Sequence, residues 1–335
     1  MTTAMKPPYD SELGVMLEKI SIPPILTLDI LPAVRAEQDA MWTADAALAD
    51  EPFTHEEHGI PGRLVLSVFQ PQRRNVPWER PVHGRPCILW IHGGGMLLRN
   101  RFMSVKVPLA WAKTCGATVV SVEYRVAPEH PAPAAVEDCY AALCWLRDAG
   151  DARKLGIDQE RVLVAGISAG GGLAAGVALM ARDRALAGGP KICGLVLMCP
   201  MLDDRVDAAV AKLFGGPESP IWSTESNEVA WKAVLGEAYG SDAVSPYVAP
   251  ARADDLSGLP PTYIDVASVE LFREDCVRYA NRLWRAGNRA TLHVWEGGFH
   301  GFDVLAPTAA LSKLSSSTRA AWVRRVLGEG IDIGV

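Results

Sequence analysis

Ser168 stands in Gly166-Ile-Ser-Ala-Gly170, straight after the apolar run Val162-Leu-Val-Ala165 and just before a small-residue helical pattern from Leu173 to Met180. A strand that turns sharply into a helix at a serine lifts the hydroxyl clear of the sheet, the arrangement of a nucleophile elbow. Glycines two residues to either side suit a turn where a Cβ would collide with the neighbouring strand and helix. Free N–H groups at the helix start favour negative charge developing beside the serine. The chemistry this spacing points to is acyl transfer through a serine nucleophile.

Acyl transfer passes through an oxyanion that preorganised donors must meet, and losing one donor typically costs about 3–4 kcal/mol of barrier. Upstream, Cys87-Ile-Leu-Trp-Ile91 reads as a buried strand running directly into His92-Gly-Gly-Gly95. Consecutive glycines let the backbone turn its N–H groups toward a ligand, so Gly93 and Gly94, with Ala169 after the serine, are the expected donors. A serine nucleophile also needs a general base, and the base an orienting acid. On sheets that carry such an elbow, the acid and then the histidine follow the serine in the chain.

Of the seven histidines, His293 and His300 lie beyond Ser168. His293 sits in the alternating run Ala290-Thr-Leu-His-Val-Trp-Glu296, as a strand residue facing solvent or a helix. His300 sits in Gly297-Gly-Phe-His-Gly-Phe302, a glycine-rich loop just after that strand. Loops at strand C-termini are where open sheets keep their chemistry, so His300 is the expected base. For the acid, Pro261 to Ala267 reads as a strand with a helix soon after it. Asp265 lies inside the strand, whereas Glu274 and Asp275 fall in the first helical turn, where carboxylates favour the dipole. Glu270 lies in the connecting loop, within reach of a histidine, and is the expected acid.

Five segments in order carry a family likeness: His92-Gly-Gly-Gly95; Tyr124-Arg-Val-Ala-Pro-Glu-His-Pro131 with Asp138 beyond it; Gly166-Ile-Ser-Ala-Gly-Gly171; Ser245-Pro-Tyr247 leading to Leu259-Pro-Pro261; and His300-Gly-Phe302. In these the chain resembles the hormone-sensitive-lipase-like group of α/β-hydrolases, the bacterial esterases with an H-G-G-G oxyanion motif. The resemblance implies an α/β-hydrolase fold with a cap over the site, no cofactor, and hydrolysis of carboxylic esters through an acyl-enzyme. It also makes a homodimer plausible, paired through an edge strand near the C-terminus such as Ala290 to Glu296. Three positions depart from the group. Glu270-Leu-Phe272 replaces its usual Asp-Pro-Leu, so the acid is one methylene longer and its loop must retract slightly. Ile167 stands where an acidic residue is frequent, and Val126 replaces a leucine. Arg125, Glu129 and His130 read as a polar anchor that braces the oxyanion loop, with Asp138 as a structural partner.

Composition bounds the reading. The chain has 335 residues, enough for one large α/β domain with an added subdomain and a sizeable core. A net charge of -6 with no basic run gives no support for nucleic acid or an anionic membrane surface as partners. Seven cysteines without C-x-x-C or metal-ligand spacing read as buried free thiols in a reducing compartment, with no metal site. The N-terminus has no apolar signal core, so a cytoplasmic protein is the expectation. The apolar stretch from Ile22 to Leu31 is broken by prolines and too short to span a bilayer.

Strand patterns alternate with helical ones, which predicts a mostly parallel sheet with crossover helices. Strands are expected near 64–69, 87–91, 117–123, 161–167, 192–198, 261–267 and 290–296, and helices near 133–148, 169–183, 273–286 and 309–327. Residues 71–86 read as a turn-rich connection. Two regions stand outside the alternation: 1–45, and 203–244 with Phe214, Ile221, Trp222 and Trp231. The expected organisation is therefore a catalytic domain of 46–202 and 245–335, with a cap built from 1–45 and 203–244. Some cap aromatics make a satellite core, and others line the acyl or alcohol pocket. Short- to medium-chain esters fit better than lipid droplets, because no broad apolar lid is evident. A lactonase, amidase or deacetylase would share the same triad, and a non-catalytic ligand-binding protein could share the scaffold.

Overall fold

The computed structural model describes residues 5–23, 25–60, 64–72, 84–98, 100–147, 150–184, 191–216, 219 and 221–328. Its centre is an eight-stranded sheet: β1 (Phe53–Ile60), β2 (Leu64–Pro71), β3 (Arg85–Ile91), β4 (Thr118–Glu123), β5 (Ile157–Ile167), β6 (Gly194–Met198), β7 (Thr262–Ala267) and β8 (Ala290–Trp295), in the order β1-β2-β4-β3-β5-β6-β7-β8. The two β1–β2 and β2–β4 pairings are antiparallel, and every pairing from β4 to β8 is parallel. Strands buried on both faces read as continuous apolar runs. That is why β3, β4, the second half of β5, β6 and β7 were legible, and all are buried almost throughout. β1 escaped the sequence pattern. Its Phe-Thr-His-Glu-Glu-His-Gly-Ile carries charge on an edge with one face half-covered, and its burial alternates with that polarity.

Helices Ala134–Arg147, Ala169–Asp183, Arg273–Arg285 and Ala310–Leu327 fall where periodicity places them. The crossover helix Lys106–Cys115 between β3 and β4 was not anticipated. Of the expected 71–86 connection, residues 73–83 lie outside the described residues. Residues 203–244 hold helices Ala208–Leu213 and Thr224–Leu235, and the N-terminal region holds Ser11–Leu17 and Leu31–Met41.

The strand order decides where chemistry can occur. From β3 the chain moves out to β4 on one side, then returns to β5 on the other, so the crevice above β3 and β5 is a topological switch point. Ile91 at the end of β3 is paired with Gly166 near the end of β5, and Ala267 of β7 with Trp295 of β8. The loops after these four strands are thereby gathered at one edge of the sheet.

Candidate active site

Ser168 occupies the turn between β5 and helix Ala169–Asp183, with φ 56° and ψ -122°. A non-glycine residue at positive φ is sparsely populated, and it persists only where the surroundings over-determine it. Here they do. The Ser168 N–H donates to the Met198 carbonyl at 2.8 Å, and the Ser168 carbonyl accepts from Gly171, Gly172 and Met201. A Cβ on Gly166 would overlap the Gly170 carbonyl, and one on Gly170 would overlap the carbonyls of Ile91 and His92. The glycines of the motif are there because backbone passes against backbone.

His300 and Glu270 meet this serine from the neighbouring loops. His300 Nε2 lies 2.9 Å from Ser168 Oγ, and His300 Nδ1 lies 3.1 Å from Glu270 Oε1. A carboxylate can only accept, so the ring proton belongs on Nδ1 and the Nε2 lone pair faces the serine hydroxyl. Glu270 is in turn held by the Ala267 N–H, which donates to Oε2 at 3.2 Å. All three residues are buried. The rival carboxylates lie elsewhere. Asp265 is bound to Arg319, and Asp275 lies 3.4 Å from Arg278 in the following helix. His293 stacks between Tyr263 and Trp295, with centroids 5.2 and 5.3 Å away.

Above the serine, the His92-Gly-Gly-Gly95 loop leaves β3 with Gly94 at φ 102° and Gly95 at φ 64°. The N–H groups of Gly93, Gly94 and Ala169 donate to no carbonyl among the described residues. His92 is fully buried and its pKa is lowered by desolvation; it stacks on Tyr124 at 4.1 Å, and its Nδ1 lies 2.8 Å from the Gly93 carbonyl. The Tyr124 hydroxyl donates to the His92 carbonyl at 2.9 Å, fixing the start of the loop.

The polar anchor expected from Arg125, Glu129 and His130 is found in part. Arg125 is paired with Asp138 on the following helix, and His130 is exposed. Glu129 instead receives Arg35, whose guanidinium also donates to the carbonyls of Leu97 and Ala127. Nothing in the spacing of the N-terminal segment singled out Arg35. Its partners are 62 to 94 residues away in sequence, so periodicity carries no trace of them.

Ser168 and His300 open into a cavity of about 360 Å³. One wall comes from the N-terminal region, with Ile20, Leu26, Val34 and Trp42. Another comes from Ile221, Trp222 and Ser226, and a third from Val304 and Leu305. Trp222 lies against Gly95, where a side chain would strike its ring. The two outer segments are tied together by the Leu26 N–H, which donates to Ser226 Oγ at 2.8 Å. Cys199, Glu270 and His300 offer donor atoms within 4.8 Å of one another, the one such group among the described residues. Burial pushes the Cys199 thiol well up.

A family model described as the alpha/beta hydrolase fold matches residues 88–304. The chain belongs to that family. This hydrolase is 33% identical over 292 residues to Esterase LipI of Mycobacterium tuberculosis, covering 85% of this chain and 89% of that one. It is also 31% identical over 314 residues to Carboxylesterase NlhH of Mycobacterium tuberculosis, covering 92% and 94% of the two chains. Among solved structures it superposes on a Bacterial Heroin Esterase with a TM-score of 0.83 at 36% identity, over 95% of this chain and 98% of that one. With relatives of that kind over nearly its whole length, the hydrolase is a carboxylic ester hydrolase.

Proposed function

We propose that this hydrolase is a serine esterase of the H-G-G-G, hormone-sensitive-lipase-like group, working through Ser168, His300 and Glu270. The observation that carries the reading is the unbroken line from Ser168 Oγ through both ring nitrogens of His300 to Glu270 Oε1, at the floor of an apolar cavity. His300 takes the Ser168 proton as the hydroxyl attacks the ester carbonyl. The unengaged N–H groups of Gly93, Gly94 and Ala169 receive the oxyanion. His300 then protonates the leaving alcohol, and water repeats the sequence to release the acid. No step calls for a cofactor.

Residues 1–45 and 203–244 act as the cap over a catalytic domain of 46–202 and 245–335; their place in the cavity wall supports that division. Pockets for small molecules run to roughly 300–1,000 Å³, so a cavity near the lower bound supports short- to medium-chain acyl esters. Seven free cysteines support a reducing, cytoplasmic setting. Among the described residues no helix is long and apolar enough to cross a membrane. The open edge of β8, with Val294, Val277 and Trp284 exposed near it, supports a homodimer. A net charge of -6 gives no support for nucleic acid as a partner.

Hydrolysis of p-nitrophenyl esters from acetyl to dodecanoyl tests the reading, with Ser168→Ala as control. Turnover should peak at a short or medium chain and vanish in the folded variant. Near-normal turnover by Ser168→Ala would remove Ser168 from the mechanism, and a rising rate out to dodecanoyl would overturn the chain-length assignment.

A further inference from the structure

Arg319 lies in the C-terminal helix Ala310–Leu327, in none of the motifs above, yet it is almost fully buried. Its Nε donates to Asp265 Oδ2 at 3.0 Å, with Nη2 on the same oxygen, and its Nη1 donates to Asp303 Oδ2 at 2.8 Å. Nη2 also reaches Ser315 Oγ at 3.1 Å. Both carboxylates are buried as well. A charge cluster taken out of water at this depth is rarely the most stable filling for the space, and apolar replacements of similar volume are frequently neutral or better. Its value is therefore to be sought in what it holds.

Its two carboxylates come from the strand that leads into the Glu270 loop and from the helix that follows His300. Asp265 is in β7, two residues before Ala267, whose N–H holds Glu270 Oε2. Asp303 is three residues after His300, in the short helix Phe302–Leu305 that ends the histidine loop. The Asp265 carboxylate also receives Trp295 Nε1 at 3.4 Å, from the last residue of β8. We propose that Arg319 is a positioning residue: its planar fork clamps the β7 end to the His300 turn and so sets the Glu270–His300 distance. A fork with fixed geometry suits this task, because a lysine would place one point charge where two directed contacts are needed. The inference rests on the triad reading above, and its own failure can be told apart from the failure of that reading.

The test compares wild type with R319K and with the isosteric neutral set R319M/D265N/D303N, which leaves no uncompensated buried charge. Folded sites are counted by stoichiometric p-nitrophenol release from diethyl p-nitrophenyl phosphate. Then kcat and KM are measured on p-nitrophenyl butyrate. Misplacement of a reacting group by about 1 Å can cost on the order of 100-fold. The expected result is a kcat per counted site lower by roughly 10- to 100-fold in both variants, with KM within about twofold of wild type. A purely structural role would lower Tm and the number of sites while leaving kcat per site unchanged, and that result overturns the proposal. Loss of phosphate-ester labelling in Ser168→Ala, run alongside, reports on the triad separately.

Discussion

A carboxylate fixes a histidine tautomer only if it accepts and never donates, and Glu270 is placed to do that through Oε1 while Oε2 is tied to the Ala267 N–H. An amide in its place can turn its NH₂ toward Nδ1, which favours the wrong tautomer. Glu270→Gln should therefore lower kcat on p-nitrophenyl butyrate by about 100- to 10,000-fold. Asp275→Asn should leave turnover near wild type, and the reverse ranking would transfer the acid to Asp275. Asp275 does have an effect of its own, on stability. Burial, with Asp203 nearby, pushes its carboxyl up to about 7 from an ordinary 3.8. The folded state then holds that proton more tightly than the unfolded chain does. Its contribution is whole below the unfolded value and is lost as pH rises through about 7. Thermal melts should accordingly show Asp275→Asn gaining Tm at about pH 8 and gaining nothing at about pH 4.

The element that matters most is β5 with its following helix. Helix Ala169–Asp183 is buried from Ala169 to Ala181, so its small residues are a packing requirement and not a helix preference. A Cβ on Gly172 would overlap the Met201 carbonyl, and one on Gly176 the Tyr247 carbonyl. Overpacking of this kind typically costs about 1–3 kcal/mol, more where backbone is struck. Gly176→Ala lies two turns from Ser168, and should lower the denaturant midpoint clearly while the kcat of the folded fraction is kept. An unchanged midpoint would mean that the helix shifts freely on the sheet. The strand–turn–helix unit was legible because its demands are local. β1 was not, since an edge strand bearing Glu56 and Glu57 has no apolar run to read.

Across the whole molecule, the cavity closes only because distant segments dock. Helix Ser11–Leu17 sets Leu13 against Ala267, Phe299 and Phe302 beside the histidine turn, and the Asp10 N–H donates to the Gly297 carbonyl at 2.9 Å. Arg35 fastens helix Leu31–Met41 to Leu97, just beyond the His92–Gly95 loop, and to the turn after Tyr124. Arg35→Met would strand the Leu97 and Ala127 carbonyls, and each unpartnered buried group costs about 1–3 kcal/mol. The expected outcome is faster limited proteolysis within the first 45 residues and a KM for the octanoyl ester raised several-fold. A proteolysis pattern identical to wild type would show the segment to be held by its apolar contacts alone.

The sequence by itself pointed to ester hydrolysis and to the residues proposed to carry it, in their order. Ser168, Glu270 and His300 sit in short stretches whose glycines, strand ends and loop positions answer to local backbone geometry, and local geometry leaves its mark in local spacing. Tertiary structure alone decided which residues wall the cavity and that Arg35 and Arg319 reach inward. Leu26 meets Ser226 across 200 residues, and Arg319 meets Asp265 across 54. Contacts of that range are set by strand order and helix docking, which no periodicity in the chain records.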